Sequence, residues 1–231
     1  MSFGRGRIHG SLNEKLLSMN TDIQIAEKPD WVSWEDIKRC LTEAHADNRA
    51  KGIIMAHYQW PAEKIKDSIG EKGVMLVALD GNKLVGTSAF MEENRSYWYV
   101  RSKYAYVCFD GVIAGYSGKG LFRLLDTKRE ELVKERGYDM LVFDTHVKNR
   151  HRQEIALKNG YKYVRYFMAQ SGDHNNVVMT KWLNGCPFSN RFIKRRFILS
   201  KFTTWFFFTS GRIKNKNWER VYKKIKRHYK L

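Results

Sequence analysis

The spacing of apolar residues changes along the chain, and each change predicts a different kind of element. Residues 22–26 alternate between apolar and polar, which predicts a first strand. Ser33 stands three positions before Asp36, the pattern of a capping box, and predicts a helix that runs to about Arg49. The body of the chain therefore opens with a strand and a helix.

The next stretch predicts a short helix and then an antiparallel meander. Pro61 marks the start of this helix, which ends at Gly70. Residues 74–79 and 83–91 are joined by an Asp-Gly-Asn turn, which predicts the two strands of a hairpin. Residues 97–113 are rich in aromatic and β-branched side chains and predict further strand.

From Leu121 the apolar residues recur at helical spacing among charges, until Gly137 ends the pattern. A strand at residues 140–143, a helix at 150–159, and strands at 161–169 and 177–183 follow. The predicted order is β-α-α-β-β-β-α-β-α-β-β. It indicates an α+β fold in which helices flank a mixed, mostly antiparallel sheet.

Charge is distributed unevenly along the 231 residues. The chain has 42 Lys+Arg and 24 Asp+Glu, a formal charge of +18, and residues 184–231 carry 14 of these bases with a single acid. Gly185 and Pro187 stand at the change, and both resist a regular element. We therefore predict an N-terminal arm at residues 1–20, a folded body at 21–183 and a basic, aromatic extension at 184–231.

The extension mixes bases with large aromatic side chains, and this composition leaves three interpretations open. An anionic membrane would take the aromatic side chains into its interface and meet the bases with its head groups. Nucleic acid would offer phosphates and stacking bases to the same residues. Alternatively, a helical extension packs its Phe and Trp face on the body, or on another subunit of a homo-oligomer. Of the two anionic partners, the composition favours the membrane over nucleic acid.

Neither targeting nor cysteine patterns point outside the cell. The first twenty residues lack the apolar core of a secretory signal. The most apolar segment, residues 197–208, carries Lys201 and is shorter than the roughly 20 residues that a membrane span needs. Cys40, Cys108 and Cys186 form no C-x-x-C pair, which argues against disulfides and a cysteine zinc site. We expect a cytoplasmic protein, peripheral at the membrane if the extension binds lipid.

One segment carries the candidate chemistry: a strand that passes Asp110 and runs through a glycine-rich turn into a helix. Gly118 and Gly120 would leave backbone N–H groups uncovered at the helix start, where the helix dipole favours a phosphate. The segment is not a Walker loop, because Ile113 occupies the place of the first glycine. It is not a dinucleotide fingerprint, because Arg123 replaces the third glycine. Taken alone, the glycines also fit a tight turn without a ligand.

Residues 112–121, Val-Ile-Ala-Gly-Tyr-Ser-Gly-Lys-Gly-Leu, resemble the pyrophosphate-binding motif of the GNAT family of acyl-coenzyme A-dependent N-acyltransferases. The order of elements over residues 21–183 is also that family's order. Asn149, followed by Gly160-Tyr161, is similar to the family segment that lines the cofactor cleft. The two motifs and the element order together indicate a GNAT-like fold for the body.

The sequence departs from the family pattern at three positions. Ser117 stands where the loop usually has Arg or Gln, and Phe122 where it has a small residue, so we expect weaker or shifted phosphate binding. Ala156 stands where many members have a tyrosine acid. The leaving thiolate must then take a proton from water or another residue, or leave unprotonated, since a thiol pKa of about 8.5 allows it.

The resemblance implies transfer of an acyl group, most simply acetyl, to an amine by direct attack on a thioester. Acetyl-coenzyme A or another acyl-coenzyme A is then the cosubstrate, without a metal, and the acceptor is a small-molecule or peptide amine. The alternative is a catalytically weak binding module of the same fold that acts at an anionic surface. The residues implied in cofactor binding are Val112, Ile113, Ser117, Gly118, Lys119, Gly120, Leu121, Phe122 and Asn149.

Attack by an amine needs a base for the ammonium proton and N–H groups for the oxyanion. Asp110 is the carboxylate nearest in sequence to the expected cleft and is our candidate catalytic residue. A solvated aspartate at a strand end is an equal alternative, and Glu92 and Glu93 are weaker candidates for the base.

The seven histidines also invite a search for a metal site. The pairs His45/His57 and His146/His151 lack the spacing of metal ligands. We therefore predict structural or solvent-facing histidines and no metal.

Overall fold

The computed structural model describes residues 23–53, 55–93, 97–100, 103–168 and 175–211. The chain divides into two compact units, one of Met1–Ser96 with Ser102–Asp139 and the other of Tyr97–Arg101 with Met140–Leu231. The N-terminal arm predicted at residues 1–20, and residues 212–231 of the predicted extension, lie outside the described part of the chain.

Four antiparallel strands form the sheet of the first unit and pair in chain order. They are β1 (Ile23–Glu27), β2 (Val74–Asp80), β3 (Lys83–Glu92) and β4 (Tyr104–Val112). The predicted Asp-Gly-Asn hairpin joins β2 to β3. The strand predicted from Tyr97 begins only at Tyr104, because Trp98 and Tyr99 form a turn.

The helices of the first unit are α1 (Trp34–Ala44), α2 (Ala46–Ala50), α3 (Ala62–Ile69) and α4 (Leu121–Glu135), with 3₁₀ turns at Ala56–Gln59 and Ala114–Tyr116. Ser33 and Asp36 form the predicted capping box, and the Asp36 amide donates to Ser33 Oγ at 3.1 Å. The single helix predicted to reach Arg49 is instead two helices, because His45 leaves the helical conformation between them.

One cluster of apolar side chains fixes the end of β4. Ile37 and Leu41 of α1 and Ile65 of α3 are buried against Val77 of β2 and Phe109 of β4. Burial of this kind contributes about 25 cal/mol per Å² of apolar surface. This packing therefore holds Phe109 in place, and with it the start of the segment that follows.

Three strands and two helices make up the described part of the second unit. Its elements are β5 (Met140–His146), α5 (Arg150–Lys158), β6 (Lys162–Met168), β7 (Asn175–Trp182) and α6 (Asn190–Gly211). β7 lies in the middle and pairs antiparallel with both β5 and β6. With the first unit, this confirms the predicted α+β class: mostly antiparallel strands flanked by helices.

Helix α6 forms most of the described part of the predicted extension, and it packs along β6. Ile193 is buried, and the Phe197 ring stacks on Tyr163 with 5.1 Å between centroids. The Tyr166 amide donates to Ser200 Oγ at 2.8 Å, and the Thr204 hydroxyl donates to the Tyr166 carbonyl at 3.2 Å. The two hydroxyls thus supply β6 with the hydrogen bonds that a neighbouring strand would supply.

Candidate active site

The glycine-rich turn joins β4 to α4 as the sequence predicts. Gly118 and Gly120 have φ values of +76° and +79°, a backbone conformation that favours glycine. Gly120 is the N-cap of α4 and carries no side chain that could cover the first turn. The Arg123 and Leu124 amides both donate to the Gly120 carbonyl, at 2.9 and 3.2 Å, so an anion at this helix start would meet the amides that precede Arg123.

The charges around this helix start suit an anion. No acidic residue lies in the first turn of α4. Ser117, Lys119 and Arg123 are exposed there, so two bases and one hydroxyl are available to a phosphate. Ile113 and Leu121 are buried side chains, and the Ile113 amide already donates to the Val85 carbonyl at 3.1 Å.

A tyrosine fastens the loop to the β2–β3 hairpin. The Tyr116 hydroxyl donates to the Asp80 carboxylate at the end of β2, and this hydrogen bond raises the pKa of Tyr116. The ammonium groups of Lys83 and Lys119 lie 5.6 and 5.2 Å from the centroid of the same ring. Because Tyr116 lies two residues before Gly118, this anchor limits the positions that the glycine turn can take.

A bulge interrupts β4 just before the loop. Thr87 of β3 pairs with Gly111 and Ala89 with Cys108, so two residues of β4 oppose one residue of β3. Phe109, at the bulge, has a φ of +53°, an uncommon conformation for a bulky residue. The bulge turns the next side chain, Asp110, into a buried polar cluster.

Asp110 lies in an ion-pair cluster centred on Arg129 of α4. The Arg129 guanidinium is fully buried and donates to Asp110 Oδ1 at 2.6 Å and to the Asp126 carboxylate. Ser88 Oγ also donates to Asp110 Oδ1, at 2.7 Å. The cluster is a link between β3, β4 and the helix that begins at the glycine loop, and it places the candidate base beside two donors.

A cluster of uncharged polar rings lies on the α1 side of the same strand. The rings of His45, His57 and Tyr58 contact one another, with centroids 5.1 to 5.6 Å apart, and His57 also contacts Phe109. Nε2 of both histidines is buried, with no hydrogen-bond partner in the described part of the chain. A Cβ placed at Gly111 would lie 3.6 Å from Nε2 of His45, which puts this histidine directly under β4.

Burial opposes protonation of both histidines. It lowers the pKa of His45, against the opposing effects of the polar backbone of Asp110 and then of the Asp110 carboxylate, and the Arg49 guanidinium lowers it further. Burial lowers the pKa of His57 to about 3, with the neighbouring His45 adding to the effect. The predicted structural role of these histidines therefore stays a prediction, but their position beside Asp110 is one that their spacing did not indicate.

The two weaker candidates for the base lie away from Asp110 along the sheet. Glu92 pairs in register with Ala105, near the beginning of β4, whereas Asp110 is near its end. Glu92 contacts Lys72 with an N–O distance of 3.0 Å, and Glu93 accepts from the Tyr104 hydroxyl at 3.3 Å. The structure does not bring them to the glycine loop.

The predicted site residues of the second unit are both buried. Asn149 is the N-cap of α5: its side chain accepts from the Arg152 amide at 3.4 Å and donates to the Thr145 hydroxyl at 3.2 Å. These bonds fix the start of α5, and a role of Asn149 towards a cofactor stays a prediction. Ala156 has no exposed surface, so nothing larger fits its position without repacking.

Three further findings concern the described residues alone. Within them, no three His, Cys, Asp or Glu side chains are arranged to hold a metal ion. None of their helices is long and apolar enough to cross a membrane. The three cysteines, all of which are described, are not paired.

A family model described as Acetyltransferase (GNAT) family matches residues 27–161, more than half of the chain. The chain belongs to the GNAT acetyltransferase family. The match includes the bulge, the glycine loop, the Arg129 cluster and Asn149, whereas α6 begins 29 residues after its end. The comparison with curated proteins found no match.

Solved GNAT structures share the fold at low sequence identity. Aminoglycoside 6'-acetyltransferase type Ii is 18% identical, with a TM-score of 0.55 over 71% of this chain and 99% of that one. The ribosomal-protein-S18-alanine N-acetyltransferase from Escherichia coli is 13% identical, with a TM-score of 0.53 over 73% and 97%. PaiA N-acetyltransferase from Thermoplasma acidophilum, in complex with coenzyme A, is 17% identical, with a TM-score of 0.54 over 69% and 98%.

Proposed function

We propose that this GNAT protein is an N-acyltransferase that moves an acyl group, most simply acetyl, from acyl-coenzyme A to an amine. The observation that carries the proposal is the start of α4, where two glycines of positive φ precede a helical turn without acids. Backbone amides, Lys119 and Arg123 there offer donors and positive charge to a pyrophosphate. One of the similar solved structures is a complex with coenzyme A, which supports the same ligand for this fold.

In the reaction, the amine nitrogen attacks the thioester carbonyl, a C–N bond forms and the C–S bond breaks. The ammonium nitrogen loses one proton to the base before attack and a second as the tetrahedral intermediate collapses. The coenzyme A thiolate takes up one proton after it leaves, so one proton is released to solvent overall. Backbone N–H groups at the bulge of β4 are our candidates for stabilising the oxyanion, because a bulge locally interrupts the regular strand ladder. Nothing in this step needs more than donors, a base and water.

Asp110 is the proposed base, and the buried histidines limit the alternatives. A histidine whose pKa is about 3, as for His57, cannot hold a proton taken from an ammonium group at neutral pH. Asp110 is proposed instead on its position near the end of β4, where its Oδ1 accepts hydrogen bonds from Ser88 and Arg129. The uncharged histidines would instead let a cationic amine approach the bulge without repulsion.

Acceptor and partners follow from the same proposal. We infer a small-molecule or peptide amine as acceptor, a cytoplasmic location, and a separate binding role for the basic extension at residues 184–231. A catalytically weak module that binds acyl-coenzyme A is the second candidate, favoured by Ala156 at the usual tyrosine position. Turnover of acetyl-coenzyme A with a panel of amines separates the two, since the module would bind the thioester without transferring it.

The placement of the pyrophosphate is tested with Gly120→Glu, measured by thermal shift with coenzyme A. Ligand at about 100 times its Kd should stabilise the fold by about 2.7 kcal/mol, and a carboxylate at the helix start should abolish this shift. Gly120→Ala is the matched control, because it strains the same φ without adding charge, and it should retain a larger part of the shift. Equal shifts in Gly120→Glu and the parent chain would place the phosphates elsewhere.

A further inference from the structure

Helix α6 has two faces of different character. The inward face carries Ile193, Phe197, Ser200 and Thr204, which pack on β6 as described. These residues are spaced by three and four, so they form one stripe and fix the rotation of the helix. The opposite face is therefore held outward and cannot turn to cover its own apolar side chains.

The outward face is apolar along most of its length. Five large side chains there are each between 50% and 60% exposed, although a side chain of this type is usually buried. Their spacing of one to four residues places them on the side of the helix opposite the inward stripe. They are Ile198, Leu199, Phe202, Trp205 and Phe206.

Bases surround this apolar surface, and α6 contains no acid. Arg191, Lys194 and Arg195 are exposed in the first six residues of the helix. Lys201 is also exposed, but its ammonium group lies 5.8 and 5.9 Å from the Tyr166 and Phe197 rings on the inward side. Arg196 lies over the rings of Trp98 and Phe192, at 5.8 and 5.5 Å, and so has a packing role. The outward face thus begins with three exposed bases and continues as an apolar stripe.

We propose that the outward face of α6 binds the surface of an anionic membrane. The apolar stripe enters the interface while Arg191, Lys194 and Arg195 meet anionic head groups, the arrangement of helices that lie in the plane of a membrane. Residues 212–231 add nine bases and one acid to the same end of the chain. The GNAT match ends at residue 161, so this surface is an addition to the acyltransferase domain.

Two observations favour lipid over the other anionic or apolar partners. Ile198 and Leu199 cannot stack on nucleotide bases, whereas acyl chains accept aliphatic and aromatic side chains alike. A second copy of the chain would bring the same bases together on both sides of a two-fold interface, which repels. A cavity of about 470 Å³ beside the stripe, lined by Tyr166, Met168, Phe202 and Trp205 among others, gives an acyl chain a concave place to enter.

The charge part of the proposal is tested by flotation of the full chain with vesicles. One set contains phosphatidylserine in phosphatidylcholine, and the other is phosphatidylcholine alone. The variant Arg191→Gln/Lys194→Gln/Arg195→Gln should bind the anionic set on the order of 100-fold more weakly than the parent. Lys51→Gln/Lys66→Gln/Lys158→Gln removes the same charge from exposed positions elsewhere and should change binding much less. Equal loss in both variants would overturn the proposal.

The apolar part is tested at high salt. Raising the salt from about 0.1 M to about 1 M shortens the Debye length from about 10 to about 3 Å and should remove only the electrostatic part. Phe202→Ser/Trp205→Ser should then lose the residual binding by more than tenfold. An oligonucleotide of matched charge and the oligomeric state in solution are measured in parallel. Tight oligonucleotide binding, or a dimer, by a parent chain that does not float with anionic vesicles would overturn the proposal in favour of those partners.

Discussion

The first turn of α4, at the glycine loop, and helix α6 both present bases and contain no acid, but they would hold an anion in different ways. At the loop, the donors are backbone amides in one fixed geometry, set by Gly118, Gly120 and the Tyr116 anchor. On α6, the donors are long side chains spread over several turns, and no single one is essential. The loop is built for one phosphate position, and the helix for a surface.

This difference has a physical cause in what supports each region. The loop rests on a strand whose buried polar groups, around Arg129 and around His45, link it to two helices. Helix α6 rests on aromatic stacking and two hydroxyls. Single substitutions should therefore reduce anion binding most near the loop, and added salt should reduce it most at α6.

The largest expected effect is on turnover. Asp110→Asn should lower kcat by about 10² to 10⁴ while leaving coenzyme A affinity nearly unchanged, if Asp110 is the base. Asp126→Asn is the control, because it removes the other carboxylate partner of Arg129 and should leave turnover within a few-fold. Similar losses of kcat in both variants would make Asp110 a positioning residue for the Arg129 cluster.

The next largest expected effect is on the free energy of unfolding, when the Arg129 cluster below the loop is disrupted. Arg129→Met leaves two carboxylates without their buried partner, which typically costs about 3 to 5 kcal/mol of unfolding free energy. Arg136→Met, at the end of the same helix, breaks an exposed contact with Glu27, a long hydrogen bond to the Lys72 carbonyl and a contact with the Phe90 ring, and should cost less, about 1 kcal/mol. Urea denaturation of the two variants measures the difference, and equal costs would show that the cluster does not hold the loop.

Lowering the pH should reduce the stability of the first unit, whereas the charge of α6 should stay the same. Folding keeps His45 and His57 unprotonated, whereas in the unfolded chain they take up protons at about the ordinary histidine pKa of 6.5. The free energy of unfolding should therefore fall as the pH drops below about 6.5, by about 1.4 kcal/mol per pH unit for each histidine, continuing towards pH 3 for His57. Helix α6 has neither acids nor histidines, so its charge is constant over this range.

The measurement is the unfolding midpoint in urea as a function of pH. His57→Asn should show a shallower fall than the parent between pH 6.5 and 4. His151→Asn, at an exposed position, is the control and should follow the parent. If His57→Asn leaves the pH dependence of the unfolding midpoint unchanged, other groups cause the acid sensitivity.

The smallest effect concerns the attachment of α6. Ser200→Ala and Thr204→Val each remove one hydrogen bond to Tyr166 of β6 and should cost about 1 kcal/mol each. Hydrogen exchange should become faster at Tyr166 and along α6, while the coenzyme A shift stays unchanged. A reduced coenzyme A shift would mean that the two regions are not independent.

Local signals account for what the sequence predicted well. The Ser33 capping box and the glycine turn depend on residues a few positions apart, so the helix starts and the candidate loop could be read directly. The Arg129 cluster joins Ser88, Asp110 and Asp126 over as many as 41 positions, and no periodic pattern marks it. Similarly, the spacing of His45 and His57 excluded metal ligation but could not show that both rings meet under β4.

The contacts that the hydroxyl groups of α6 make with β6 also affect the tendency of the protein to self-associate. Among the described strands, β6 pairs with β7 alone, and such an edge is a template on which another chain can add a strand. Ser200 and Thr204 occupy the amide and the carbonyl of Tyr166, and the helix covers the approach to them. Truncation of the chain before α6 would therefore expose an unpaired strand edge. We expect such a fragment to aggregate by strand addition, even where its acyltransferase fold is intact.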